Sequence, residues 1–224
     1  MSGYGPNNGA MTTPTSSPAA PAIDPRPLLE RAIATGGAVV AGIRSDQHAN
    51  LTPCPEMDVR AMLVHLIGVL DRIAALGNGG DPFAVPVPQV ADGRWADAWQ
   101  ESARNAAQAW SDDALLVGPM ALPWIQGSGA DVLASYLSEV SVHTWDLAAG
   151  TGQQPDWDEQ VIDAALQWAH RILPPENRRA LYAEISAAMG LDEVAIPFAE
   201  AVPVPDDAPA IDRLVAWNGR DPLW

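Results

Sequence analysis

Apolar side chains recur every three or four residues along most of the chain, which is the spacing of an amphipathic α-helix. No stretch of useful length alternates apolar and polar residues with the period of two that a β-strand shows. The pattern therefore predicts an all-α fold. Its long helices cover about residues 27–45, 58–77, 92–117, 129–150 and 156–173, and shorter helices cover about 177–189 and 211–217.

Residues that favour helix starts and interruptions refine these predictions. Pro27 suits the first turn of the first helix, and Gly36 with Gly37 interrupts its apolar stripe, so we expect a bend there. At the second helix, either Asp58 or Glu56 can cap or charge the first turn. Two helix starts are therefore marked by the sequence itself.

Proline and glycine mark where the helices end. Residues 77–91 are rich in both and predict a loop, while Pro119 and Pro123 end the third helix. Four prolines between residues 191 and 210 predict an extended arm before the last short helix. Because the first four helices are long and their loops suitable, we expect a four-helix bundle with additional C-terminal helices and this Pro-rich arm.

The same pattern divides the chain into three parts. Residues 1–24 contain almost nothing large enough to build a core and predict a disordered tail. Residues 25–155 hold the predicted bundle, and residues 156–224 form a C-terminal helical extension packed on it. At 224 residues, the chain is long enough for one domain with such appendages.

Charge and cysteine content exclude several classes of protein. The chain has 28 acidic residues against 12 basic ones, all arginine, for a net charge of -16. This excess repels phosphate backbones and anionic lipid, so we expect neither nucleic acid nor membrane as a partner. Cys54 is the single cysteine, which rules out an internal disulfide. With no apparent signal peptide or membrane span, the expected location is cytoplasmic.

Three residues suggest a metal site. Glu139 and His143 are four residues apart on the fourth predicted helix, so their side chains lie on one face, and His65 lies within the apolar stripe of the second helix. Each feature has a simpler explanation, since Glu and His form exposed pairs in many helices and lone histidines are often hydrogen-bonded in cores. Together, however, two imidazoles and a carboxylate from two helices can fill three positions around a metal ion.

Other polar residues allow more than one interpretation. Asp146 continues the stripe of Glu139 and His143, and a carboxylate there needs a hydrogen bond, a charged partner or a cation. Cys54 could be a metal ligand or nucleophile, although a small buried residue between two prolines is the simpler interpretation. We expect Arg60 to form a salt bridge, although it could instead face an anionic substrate. His48 and His170 have no ligand partners at suitable spacing, and we expect them at the surface.

Two segments resemble a known family. The segment TPCPEMDVRAMLVHL at residues 52–66 and the segment SEVSVHTWDLAAGTG at 138–152 are similar to the paired motifs of actinobacterial metal-binding proteins. These proteins resemble the N-terminal domain of mycothiol-dependent maleylpyruvate isomerase, in the DinB-like superfamily of helical bundles. Agreement covers roughly residues 27–155, and the ending at 201–222 is similar to one branch of this family.

The resemblance implies a site and a cofactor. It makes His65, Glu139 and His143 the ligands of a divalent metal, usually zinc, in a DinB-like four-helix bundle. Trp145 and Asp146 match the W-D of the motif; Asp146 could orient a ligand or pair with an arginine, and Trp145 is expected to pack in the core. By analogy, mycothiol would bind the metal as a thiolate and add to a small-molecule electrophile.

Two classes of function follow from these observations. One is a metal-dependent enzyme, either a thiol-dependent transferase or isomerase, with hydrolysis by metal-bound water as a variant. The other is a non-catalytic module in which the ion links two helices and the protein binds a ligand. The classes differ in whether the ion keeps an exchangeable position.

Overall fold

The computed structural model describes residues 24–188, 190 and 196–224. Within these residues, the regular structure consists of eight α-helices, two short 3-10 helices (Ser45–Gln47 and Pro82–Ala84) and one two-stranded sheet, and the predicted all-α class is confirmed. In chain order the elements are α1 (Arg26–Gly42), α2 (Val59–Gly77), α3 (Trp95–Ala109), α4 (Asp113–Val117), β1 (Pro119–Leu122), β2 (Ile125–Ser128), α5 (Gly129–Thr151), α6 (Glu159–Ile172), α7 (Arg178–Ala188) and α8 (Ala210–Trp217).

Four helices form the predicted bundle. Helix α2 packs against α3 and α5, and α1 also packs against α3 and α5, so each helix contacts two of the others. The side chains of Leu63, Leu66 and Leu137 are fully buried between them. Removing this apolar surface from water is the main stabilisation that holds the four helices together.

Side-chain caps fix where the helices begin. Asp58 Oδ1 accepts a hydrogen bond from the backbone N–H of Ala61 at 2.8 Å, so Asp58, and not Glu56, caps α2. At α5, Ser128 and Asp131 each accept a hydrogen bond from the other's backbone N–H and form a capping box. These caps satisfy backbone N–H groups that have no partner within the helix, and they define the first turns of α2 and α5.

The predicted third helix, 92–117, is wrong in its length. Helix α3 ends at Ala109, and a separate helix α4 begins at Asp113. Between them Trp110 is buried, and its indole N–H donates to the carbonyl of Ile73 at 2.8 Å. Asp112 then caps the new helix by accepting from the backbone N–H of Ala114 at 2.9 Å. Tertiary burial of one indole thus ends a helix that the periodicity alone would continue.

The segment around Pro119 and Pro123 forms a small β-hairpin that the sequence pattern did not predict. Strand β1 pairs with β2 in antiparallel register, with Leu122 opposite Ile125 at the turn. Each strand is only four residues long, which is too short for alternating polarity to give a clear signal.

Helix α1 runs without interruption through Gly36 and Gly37. The indole of Trp99 lies against both glycines, and a Cβ added at Gly36 would lie 2.6 Å from Trp99 Cζ2. The indole N–H also donates to the carbonyl of Ile33 at 3.2 Å. The two glycines therefore let α3 approach α1 closely, and they do not end the helix.

Two of the C-terminal helices, α6 and α8, contact helices of the bundle. Helix α6 contacts α5 and α1, and α8 contacts α6 and α5. Residues 196–209 contain no helix or strand, as expected for the arm, whereas its first residues, 191–195, lie outside the described part of the chain. Residues 1–23 of the predicted tail also lie outside it. No helix in the described residues is both long enough and apolar enough to cross a membrane.

Candidate metal centre

The structure brings together the three residues singled out by their spacing. His65 comes from the middle of α2, and Glu139 and His143 come from successive turns of α5. One nitrogen or oxygen atom from each side chain lies within 4.8 Å of the other two. Because α2 and α5 are neighbours in the bundle, side chains 74 residues apart in the sequence meet at one point.

Glu139 lies between the two imidazoles. Its Oε1 is 3.0 Å from His65 Nε2 and 3.7 Å from His143 Nε2. The two imidazole rings stand edge to face, with centroids 4.8 Å apart. Two ring nitrogens and a carboxylate oxygen therefore point to a common position.

The surroundings keep the Glu139 carboxylate ionised. Burial by itself would raise the pKa of Glu139, but the positive charge that His143 carries when it is protonated and the hydrogen bond with His65 lower it to about 2. Arg72 contributes to this lowering through its positive charge. The site is thus an anionic oxygen beside two imidazoles, which is a set of groups that suits a divalent cation.

One side of the cluster is open to solvent. The side chains of His65 and Glu139 retain 19% and 23% of their exposure, whereas His143 retains 2%. A small molecule could thus approach the cluster past His65 and Glu139, while His143 forms its inner wall.

Asp146 contacts the ring nitrogen of His143 that faces away from the cluster. Its Oδ2 lies 2.8 Å from His143 Nδ1, so the imidazole donates from Nδ1 and keeps the lone pair of Nε2 for the cluster. Asp146 also pairs with Arg220 at 3.1 Å, so the interpretation from the sequence that it pairs with an arginine is confirmed. Its contact with His143 is the one that orienting a ligand would need, and that role stays a prediction. Burial would raise the pKa of Asp146, but His143 and Arg220 lower it.

Arg220 is a residue that the motif spacing missed. It lies beyond α8, far in sequence from the two motifs, and spacing rules apply only within one element. The one available signal was an arginine in the short Trp217–Pro222 ending that is similar to one branch of the family.

Cys54 does not belong to the cluster. It is a free thiol with 6% exposure, and among the described residues the group that could hold a metal contains only the two histidines and Glu139. Burial raises the pKa of the Cys54 thiol. Its backbone N–H donates to Thr52 Oγ1 at 3.2 Å, and the same hydroxyl donates to the carbonyl of Met57. These contacts agree with a structural role in the turn.

The predictions for the remaining candidates had different outcomes. His48 was expected at the surface, and this is wrong: it is buried, with its ring against Trp95 and its Nδ1 3.1 Å from Arg60. His170 is exposed, as predicted. Arg60 forms the expected salt bridge, with Asp92 at 2.6 Å. Trp145, expected in the core, is only half-buried.

A cavity of about 640 Å³ lies elsewhere in the fold, between α1 and α3. Its walls are mostly apolar and include Trp99, Trp110 and Gly37. None of the three cluster residues lines it.

The fold and the cluster define a class of protein, the DinB-like helical bundles with a His/Glu cluster between two helices. Comparison with known families gives the same answer. The profile described as "Mycothiol maleylpyruvate isomerase N-terminal domain" matches residues 29–148, which is more than half of the chain and includes the first motif and the second as far as Ala148. The chain belongs to this family.

Two relatives come from Mycobacterium tuberculosis. They are the uncharacterized protein MT0763 of strain CDC 1551 / Oshkosh and the uncharacterized protein Rv0738 of strain ATCC 25618 / H37Rv. Each is 28% identical over 200 residues, which cover 88% of this chain and 98% of the relative. A match of this length extends beyond residue 148, where the family profile ends. No solved structure gives a significant match.

Proposed function

We propose that this protein binds a divalent metal, zinc, through His65, Glu139 and His143. The observation that carries the proposal is the convergence of these three side chains, within 4.8 Å of one another, in a helical bundle. Two imidazoles and a carboxylate are a common set of zinc ligands, and three protein ligands leave a coordination position for a small molecule.

The residues of the site would contribute to binding the ion in different ways. Glu139 supplies a negative charge that offsets part of the ion's charge. Asp146 keeps His143 in the tautomer whose Nε2 is free to bind. His65 and Glu139 form the exposed rim through which a small molecule enters. When bound, the ion would act as a Lewis acid and lower the pKa of a thiol or a water at its open coordination position.

We further propose that the small molecule is a low-molecular-weight thiol, mycothiol, and that the protein is a thiol-dependent transferase or isomerase. Membership of the mycothiol maleylpyruvate isomerase N-terminal domain family supports this choice. The second substrate would be a small electrophile that accepts the thiolate. Such thiols are kept reduced in the cytoplasm, which is the compartment that this function requires.

A second candidate is a non-catalytic module in which the metal joins α2 to α5. Its support is the position of the 640 Å³ cavity, which lies between α1 and α3 and not at the cluster. In that case the cavity, and not the metal, would receive the ligand.

Metal analysis tests zinc binding by the three proposed ligands, which both candidate functions require. The purified protein loaded with zinc should contain one zinc per chain by elemental analysis after gel filtration. His65→Ala and His143→Ala should each lose it, whereas His170→Ala, which changes an exposed histidine on α6, should keep it. Full zinc in either cluster variant would contradict the assignment of the ligands.

Calorimetry then separates the two candidates. Mycothiol should bind the zinc-loaded protein and fail to bind His143→Ala. Zinc-dependent thiol binding supports the enzyme. A protein that holds zinc without binding the thiol would be the non-catalytic module or the hydrolase that uses metal-bound water.

A further inference from the structure

The guanidinium of Arg220 is buried against the carboxylate of Asp146. Arg220 Nε lies 3.3 Å from Asp146 Oδ1, and Arg220 Nη2 lies 3.1 Å from Oδ2, so the two groups form a two-point fork. Their side chains are 3% and 0% exposed. A pair of charges removed from water in this way is costly unless its geometry is good and the remaining donors are satisfied.

The remaining donors of Arg220 hold the end of the chain in place. Nη1 donates to the carbonyl of Pro197 at 2.9 Å and to the carbonyl of Asn218 at 3.0 Å. The guanidinium carbon also lies 5.2 Å from the centre of the Phe198 ring. One side chain thereby joins the arm, the turn after α8 and α5.

The same C-terminal segment contacts the inner histidine of the cluster. The Phe198 ring stacks on the His143 imidazole, with centroids 5.5 Å apart and planes 24° apart. Asp146 Oδ2, which Arg220 binds, also accepts from His143 Nδ1. His143 is therefore in contact with the C-terminal segment directly, through Phe198, and indirectly, through Asp146.

We propose that Arg220 is a positioning residue of the metal centre. By fixing the plane of the Asp146 carboxylate, its fork fixes the tautomer and the orientation of His143. This inference rests on the proposed function, because it assigns a role to Arg220 in metal binding. It also places part of the site outside residues 29–148, the region that the family profile matches. The bundle helices alone would then form an incomplete metal centre.

Zinc affinity is the first readout. The dissociation constant for zinc would be measured on full-length protein by competition with a chromogenic chelator. Asp146→Asn should weaken binding by about 10- to 100-fold, as for other residues that orient a metal-bound histidine. Arg220→Gln should weaken it by about 10-fold or more. Arg213→Gln is the matched control, because Arg213 on α8 pairs with Asp163, away from the cluster, and it should bind zinc like the unmodified protein.

The tautomer of His143 is the second readout. If Arg220 only held the C-terminal segment in place, its substitution would not change this tautomer. Long-range ¹H–¹⁵N NMR of the metal-free protein should show His143 protonated at Nδ1. In Arg220→Gln, the spectrum should show a mixture of both tautomers. Arg213→Gln should leave the signal unchanged.

Arg220→Gln leaves the Asp146 charge buried without its partner and could prevent folding. Arg220→Lys keeps a positive charge beside Asp146 but cannot form the planar fork, so it should fold, bind zinc a few-fold more weakly and shift the tautomer signal. Circular dichroism identifies the folded variants. Unmodified protein that binds no zinc defeats the proposed function. Unmodified protein that binds zinc, with unchanged affinity and tautomer in a folded Arg220 variant, overturns this inference alone.

Discussion

Zinc should stabilise the protein strongly, because the proposed ligands join two separate helices. His65 lies on α2, whereas Glu139 and His143 lie on α5, and Glu139 is 74 residues further along the chain than His65. In the unfolded chain only Glu139 and His143 remain near each other, so the full set of ligands exists only in the folded state. An ion that binds the folded state alone shifts the folding equilibrium toward that state.

The size of the effect follows from linkage. At a free zinc concentration 100 times the dissociation constant, the free energy of unfolding should rise by about 2.7 kcal/mol. For a domain of about 150–250 residues, each kcal/mol raises Tm by about 2–4 °C. The expected increase is therefore about 5–11 °C, and a chelator should reverse it.

Differential scanning fluorimetry at several buffered zinc concentrations would measure this shift. His65→Ala should reduce the zinc-dependent rise in Tm to near zero, and His170→Ala should leave it intact. An equal rise in His65→Ala would refute the reasoning, because it would show that zinc acts at some other position. A flat Tm in the unmodified protein would refute it as well.

Three further predictions concern the fold. The Cys54 thiol, buried and with a raised pKa, should resist an aromatic disulfide reagent in the native protein and react fully in denaturant; fast native reaction would contradict its burial. Asp58→Ala removes the cap of α2 and should lower the free energy of unfolding, measured by urea denaturation, by about 0.5–2 kcal/mol. Asp46→Ala changes an exposed aspartate and is the control, which should keep the stability of the unmodified protein. Trp110→Phe removes the indole N–H that binds the Ile73 carbonyl and should cost about 1–3 kcal/mol by the same assay; an unchanged midpoint would contradict that role.

The periodicity of apolar residues was sufficient to predict the bundle. Helices α1, α2, α5 and α6 lie within a few residues of their predicted ranges, because each buries one continuous stripe against its neighbours. Helix α3 was predicted too long, since the burial of Trp110 is a tertiary contact that leaves no mark on the local period. The β-hairpin was missed because its strands are four residues each.

Burial of individual polar residues was harder to predict. His48 has no acidic or histidine partner at a helical spacing, yet it is enclosed by Trp95 and Arg60 from two other parts of the chain. Asp146 could be placed on the face of His143, but the sequence left its partner open. Its pairing with Arg220 depends on how the C-terminal segment returns to α5.

The sequence by itself determined the helical class, the family and the three residues of the candidate site. It could do so because helical spacing and the two motifs are properties of short segments. Only the tertiary structure decided that α2 lies beside α5, that one side of the cluster faces solvent, and that Arg220 and Phe198 close its inner side. Those features depend on contacts between segments far apart in the chain, which local spacing does not encode.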